Sequence, residues 1–196
     1  MSFNITPPPS EMDKRDEVLA KAYSNLIYFG RAFLPNDFLK KSESAPFHYE
    51  MGQKMIDTRP GARICNIIPR GHGKSVVAKA AIMHKLCFAA DDQQHFIAWV
   101  SEEQSQAIDH LKYIRSHFEN NKMIRYYFGN MDGGSVGKRW TEKDLVTPKG
   151  DRVISKGTSQ RLRGRAEVDV RYTGIVLDDF ESELNTKTPE RRADIK

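Results

Sequence analysis

The spacing of apolar residues changes character near Ala62. Upstream, apolar positions recur at helical intervals. Residues 1–10 carry the run Pro7-Pro8-Pro9 and are expected to form a disordered, extended lead-in. Ser10 with Asp13 three places on resembles a capping box, and a helix is predicted from Glu11 to Phe29, closed by Gly30. Ser44-Ala45-Pro46 marks a second helix start. Phe47 to Asp57 then carries Met51 and Met55 at helical spacing until Arg59-Pro60-Gly61 breaks the pattern. Residues 11–60 therefore read as a helical N-terminal extension.

From residue 61 onward, short apolar runs alternate with amphipathic stretches. Ile64-Cys65-Asn66-Ile67-Ile68 is predicted as a strand, followed by a glycine turn and a helix from Ser75 to Ala89. His95 to Val100 is a second strand, and Glu102 to Asn120 a helix begun by Ser101. Gly129 to Lys138 is Gly-rich and reads as a surface loop. Asp144 to Thr147 and Arg152 to Ser155 flank Pro148-Lys149-Gly150-Asp151, the pattern of a hairpin or two linked strands. Thr173 to Asp179 is the last strand, and the polar remainder from Glu181 to Lys196 is expected to be helical toward its end. The alternation predicts an α/β fold with a central, mostly parallel sheet flanked by helices. No internal repeat is present.

Composition narrows this picture only slightly. A chain of 196 residues, 39% of them hydrophobic, suits one compact domain with a real core. Lys and Arg number 31 against 26 Asp and Glu, a net charge of +5 that permits a polyanionic partner without requiring one. Cys65 and Cys87 both sit in apolar runs and are expected to be buried, so neither a disulfide framework nor a paired-Cys zinc site is suggested. An intracellular, soluble protein is expected, because there is no signal peptide and no apolar run long enough for a membrane span.

The chemistry is concentrated in Ile68-Pro69-Arg70-Gly71-His72-Gly73-Lys74-Ser75. Backbone N–H groups around Gly71, His72 and Gly73 can close on phosphate oxygens, aided by the positive end of the following helix. Lys74 is placed to reach the β- and γ-phosphates of ATP, and the Ser75 hydroxyl to bind Mg²⁺. The strict phosphate-loop pattern has a glycine at the place of Ile68, so this version is deviant. An ordinary strand-to-helix turn with a surface lysine is the plainer alternative. Gly174-Ile175-Val176-Leu177-Asp178-Asp179-Phe180-Glu181 supplies the acidic partner such a site needs. Asp178 is assigned to the Mg²⁺ side, and either Asp179 or Glu181 to orienting the attacking water. Two acids after an apolar strand can equally be a strand-to-loop turn. A strand at Phe96 to Val100 lies between the motifs, as in the additional-strand, RecA-like class of P-loop NTPases.

With these residues in view, the chain resembles the N-terminal ATPase domain of the large terminase subunit, the DNA-packaging motor of tailed bacteriophages and herpesviruses. The likeness rests on Pro69 to Ser75, with its missing first glycine and its arginine, and on Ile175 to Glu181. Ala45-Pro46-Phe47-His48 adds to it where the family places an adenine-recognition element, as does Arg161-Leu162-Arg163-Gly164-Arg165 ahead of the acidic strand. It spans about Ala45 to Glu181. The resemblance implies that Arg70 senses the γ-phosphate, where a solvent-facing charge is the alternative. His48 stands where many relatives have glutamine and could bond adenine or pack the helix; Gln53 is the substitute. Arg161, Arg163 and Arg165 could contact DNA phosphates, act as a finger in a neighbouring subunit's site, or be solvated.

The resemblance further implies double-stranded DNA, a portal protein and a small terminase subunit as partners, a homo-oligomeric ring, and the host cytoplasm. Residues 61–196 are expected to hold the ATPase core and to stop before the family's coupling segment and nuclease domain. Two other readings stay open: another RecA-like helicase or translocase, which needs a second such domain, and a noncatalytic nucleotide-binding fragment.

Overall fold

The computed structural model describes residues 9–39, 43–57, 59, 61–160 and 171–180. By its internal contacts the chain divides into two compact units, Met1–His84 with Tyr126–Gly129 and Lys85–Arg125 with Asn130–Lys196. Of the lead-in expected over residues 1–10, residues 1–8 lie outside the described residues, as do the Arg161 to Arg165 loop and the segment from Glu181 onward, while Pro9 and Ser10 already belong to the first helix.

The first unit is helical. The single helix expected over 11–29 is instead two, α1 (Pro9–Ser24) and α2 (Leu26–Phe33). Asn25 causes the break: it adopts extended backbone, and its side chain accepts a hydrogen bond from the Tyr28 amide at 2.9 Å. A side chain that competes for backbone amides starts a new helix more readily than it continues an old one. Gly30 does not close anything; it lies inside α2. A Cβ there would stand 2.6 Å from the Phe38 ring of α3 (Pro35–Phe38), so glycine is what lets the ring lie against the helix backbone. Phe29, Phe33 and Phe128 form a ring cluster with centroids 5.0 to 6.3 Å apart. α4 (Pro46–Ile56) follows as expected, with Pro46 in its first turn. It meets α2 closely at Gly52, where a Cβ would lie 3.2 Å from that of Leu26. His84, buried in α5 (Lys74–Cys87), makes Nε2 hydrogen bonds of 3.1 and 3.0 Å to the carbonyls of Ala22 and Tyr23 at the end of α1.

The strand expected at Ile64 to Ile68 is absent: residues 62–69 carry no regular structure. A strand exists only through a neighbour that takes its backbone hydrogen bonds, and among the described residues none pairs here. Its side chains are correspondingly open, with Ile67 93% exposed and Cys65 exposed rather than buried as expected.

The second unit is α/β. Its four-stranded sheet runs in the order β2-β3-β1-β4, formed by β1 (Phe96–Ser101), β2 (Asp144–Val146), β3 (Arg152–Gly157) and β4 (Gly174–Leu177). β1 pairs parallel with β3 and with β4, while β2 and β3 make the expected hairpin, so the sheet is mixed. One face of β1 and β3 buries Phe96, Ala98, Val100 and Ile154. The other carries α6 (Gln104–Asn120), whose buried stripe is Ala107, Leu111, Ile114 and Phe118. Ser101 belongs to β1 and does not begin α6; Glu103 occupies the cap position. α7 (Lys122–Phe128) is a further helix, begun by Asn121, whose side chain accepts from the amides of Met123 and Ile124. β4 forms as expected, and its Ile175 and Leu177 are half exposed because β4 is an edge with no described neighbour outside it. No helix among the described residues is long and apolar enough to cross a membrane.

The hairpin is fixed by charge. Asp144 accepts from Arg152 Nε at 2.8 Å and Nη2 at 2.6 Å, and from Arg139 at 2.8 Å. Burial pushes the Asp144 carboxyl up, but the hydrogen bonds and charges of Arg152 and Arg139 outweigh it and hold the group below its usual range.

Two outcomes are expected. Gly30→Ala should destabilise the protein by about 1 to 3 kcal/mol, read by urea unfolding, because the Phe38 ring must move. Folded Asp144 holds its proton less tightly than the unfolded chain does, so its contribution is complete above about pH 4 and fades as pH falls through the lower folded value. Asp144→Asn should therefore cost about 2 kcal/mol at pH 7 and distinctly less at pH 3; an equal cost at both would contradict the assignment.

Candidate functional site

Residues Ile68 to Ser75 form a turn organised from its carbonyl side. Gly71 and Gly73 have φ of 80° and 74°, left-handed values that favour glycine. α5 begins at Lys74, directly after Gly73, and the Val77 amide donates to the Gly73 carbonyl at 3.0 Å. Lys74 Nζ donates to the Ile68 carbonyl at 2.6 Å and the Pro69 carbonyl at 3.3 Å, folding its ammonium across the loop. His72 Nδ1 is 2.9 Å from the Arg70 carbonyl, and His48 Nε2 is 2.9 Å from the His72 carbonyl. In a trans peptide, C=O and the next N–H point in opposite senses. Engaging the carbonyls of Pro69, Arg70 and His72 therefore directs the amides of Arg70, Gly71 and Gly73 the other way. Among the described residues, no acceptor takes the amides of Gly71 through Val76. Such a run of unpaired donors at a helix start is suited to an anion.

Around this turn, Arg70 is exposed, and the Ser75 hydroxyl engages no described residue. Gln53, on α4, donates to Asp57, the residue that caps the end of that helix, at 2.8 Å. Phe47 lies against His48 with ring centroids 4.1 Å apart and is 6.1 Å from His72.

The acidic residues stand in the second unit, at the carboxyl ends of its parallel strands, where ligands of open α/β sheets collect. The Asp178 amide donates to Val100 at 3.0 Å and the Glu102 amide to Asp179 at 3.0 Å, which ties the ends of β4 and β1 together. Asp179 has φ of 45°, a left-handed conformation rare outside glycine but tolerated by Asp, and it is exposed. The Asp178 side chain is only 11% exposed, and its buried Oδ2 has no hydrogen-bond partner among the described residues, with His110 Nε2 3.6 Å away. His110 in turn stacks on Trp99 with centroids 4.4 Å apart.

No family model, no curated protein and no solved structure matches this chain. The residues themselves thus carry the functional reading.

Within the first unit the structure brings together His48, His72, Gly73 and Lys74; within the second, Asp178, His110 and Trp99. Glu181, Arg161, Arg163 and Arg165 lie outside the described residues. For the Mg²⁺ that the resemblance implies, each unit holds a residue of suitable donor chemistry: in the second, Asp178 Oδ2 is a buried carboxylate oxygen with no hydrogen-bond partner among the described residues, and in the first, Ser75 carries a hydroxyl oxygen. No cluster of three His, Cys, Asp or Glu suited to a metal occurs among the described residues. Mg²⁺ in nucleotide sites takes one or two carboxylates together with phosphate oxygens and needs no such cage. His110 was not singled out from the sequence, although it stands three places after Ala107 on the sheet-facing stripe of α6.

A buried carboxylate oxygen without a donor costs stability. Asp178→Asn is accordingly expected to raise the melting temperature by about 2 to 4 °C in the metal-free protein. A lowered melting temperature would mean that Oδ2 is paired in solution.

Proposed function

We propose that the chain is an ATP-hydrolysing motor domain that drives double-stranded DNA into a viral capsid. It works as one subunit of a homo-oligomeric ring in the host cytoplasm, with a portal protein and a small terminase subunit as partners. The observation that carries this reading is the loop before α5, with its Lys74 ammonium folded over a turn whose amides face away from the occupied carbonyls. The exposed Arg70 in place of an ordinary loop residue favours a packaging motor among P-loop enzymes.

In this reading the amides of Gly71 to Ser75 receive phosphate oxygens, and Lys74 exchanges the Ile68 and Pro69 carbonyls for the β- and γ-phosphates. Ser75 in the first unit and Asp178 in the second are the residues this reading assigns to Mg²⁺, which would supply neutralisation of the charge developing on the transferring phosphoryl group. Asp179, exposed just beyond the metal-side carboxylate, or Glu181 orients the attacking water. Arg70 reads the γ-phosphate. Arg161, Arg163 and Arg165 serve DNA or a neighbour's nucleotide.

ATP hydrolysis stimulated by double-stranded DNA is the expected activity, and Lys74→Ala should lower its kcat at least about 100-fold. Asp179→Asn and Glu181→Gln, compared under single turnover, assign the water-orienting acid by which one loses the chemical step. ATP binding without hydrolysis, with or without DNA, would reduce the protein to a nucleotide-binding module.

A further inference from the structure

We propose that His48 is a positioning residue for the phosphate loop, acting on phosphate through the His72–Gly73 peptide and not on the base of the nucleotide. The inference rests on the reading of Ile68 to Ser75 as a phosphate loop and gives one residue of that site its part.

Two neighbours fix the state of the ring. The Ala45 amide donates to His48 Nδ1 at 3.0 Å, and an amide nitrogen can only be the donor, so Nδ1 carries no proton. The proton sits on Nε2, which donates to the His72 carbonyl at 2.9 Å. Both ring nitrogens are therefore committed within the protein, and neither is left for adenine. The backbone anchors the residue as well, the His48 amide donating to the Ala45 carbonyl at 2.9 Å in the first turn of α4. The imidazole lies flat enough on the loop that a Cβ on Gly73 would meet Nε2 at 3.6 Å.

Holding the His72 carbonyl toward α4 turns the Gly73 N–H in the opposite sense, and that N–H is among the amides without a described acceptor. Releasing the carbonyl frees the peptide to rotate, since glycine at 73 supplies little resistance of its own. Removing His48 should thus disorder one donor of the anion site while leaving the ammonium of Lys74 in place.

Inorganic tripolyphosphate separates this role from base recognition, because it has no base. In titration calorimetry with Mg²⁺, His48→Ala and His48→Phe should weaken tripolyphosphate and ATP by the same factor, about tenfold. His48→Gln, whose amide offers an acceptor and a donor at similar separation, should restore both to within about twofold of the wild type. Loss of ATP affinity with unchanged tripolyphosphate affinity overturns the proposal in favour of adenine recognition. An independent arm uses the protein alone: ¹⁵N-histidine spectra should give His48 as the Nε2–H tautomer, and the Gly73 amide resonance should move in His48→Phe and return in His48→Gln. An Nδ1–H tautomer, or a Gly73 resonance indifferent to His48, overturns the proposal whatever binds. A wild-type protein that binds no polyphosphate but passes the spectral arm sinks the phosphate-loop reading and leaves the peptide anchor standing.

Discussion

A peptide plane cannot turn its carbonyl without turning the amide beyond it, and the segment from Ile68 to Gly73 is organised by that constraint. From Ile68 to His72 every carbonyl that is engaged is engaged by a side chain: Lys74 holds Ile68 and Pro69, His72 holds Arg70, and His48 holds His72, while the Gly73 carbonyl accepts from the Val77 amide in the first turn of α5. The two glycines make the required backbone accessible without setting its direction. Direction comes from the side chains. A loop that lacks the usual first glycine thereby acquires a defined shape from its own lysine and histidines, and α5 can begin at Lys74 with its first amides unpaired.

The second unit solves a different problem, how to present acids at a strand end. β1 is the strand with a parallel neighbour on each side, so its register positions both β3 and β4. Carrying the pairing one step past Val100 and Leu177 sets Asp178 level with Ser101, on the face that α6 covers. There Trp99 and His110 stack beside it, and burial leaves one carboxylate oxygen without a donor among the described residues. An oxygen left available in this way is what the proposed Mg²⁺ role of Asp178 calls for, and such local losses of stability are common where function and packing compete.

The sequence was most readable where a pattern is local. Helices α4, α5 and α6, the β2–β3 hairpin and the strands at Phe96 and Gly174 all follow from periodicity, glycines and caps within a few residues. It was least readable where the outcome turns on a distant partner. Asn25 looks like one polar residue in a long helix until its side chain is seen to capture the Tyr28 amide. Gly30 looks like a stop signal, yet its role is to admit Phe38. Ile64 to Ile68 has strand composition, but composition cannot supply a neighbouring edge. The glycines and Lys74 before α5, and Asp178 at the end of β4, were visible by type and spacing. The tie from His48 to His72 was not, because it joins residues 24 apart whose meeting depends on where α4 lies.

The carbonyls that hold Lys74 also bear on how such a site empties. An ammonium that already has two oxygen partners within its own loop does not lose all its hydrogen bonds when a phosphate departs; it returns to Ile68 and Pro69. Those carbonyls act as a competitor built into the chain, always present and never diluted. The grip on a bound phosphate is then the difference between two sets of partners rather than the full strength of either. If the proposed function holds, that difference would favour turnover, because the loop would assist release of the spent nucleotide.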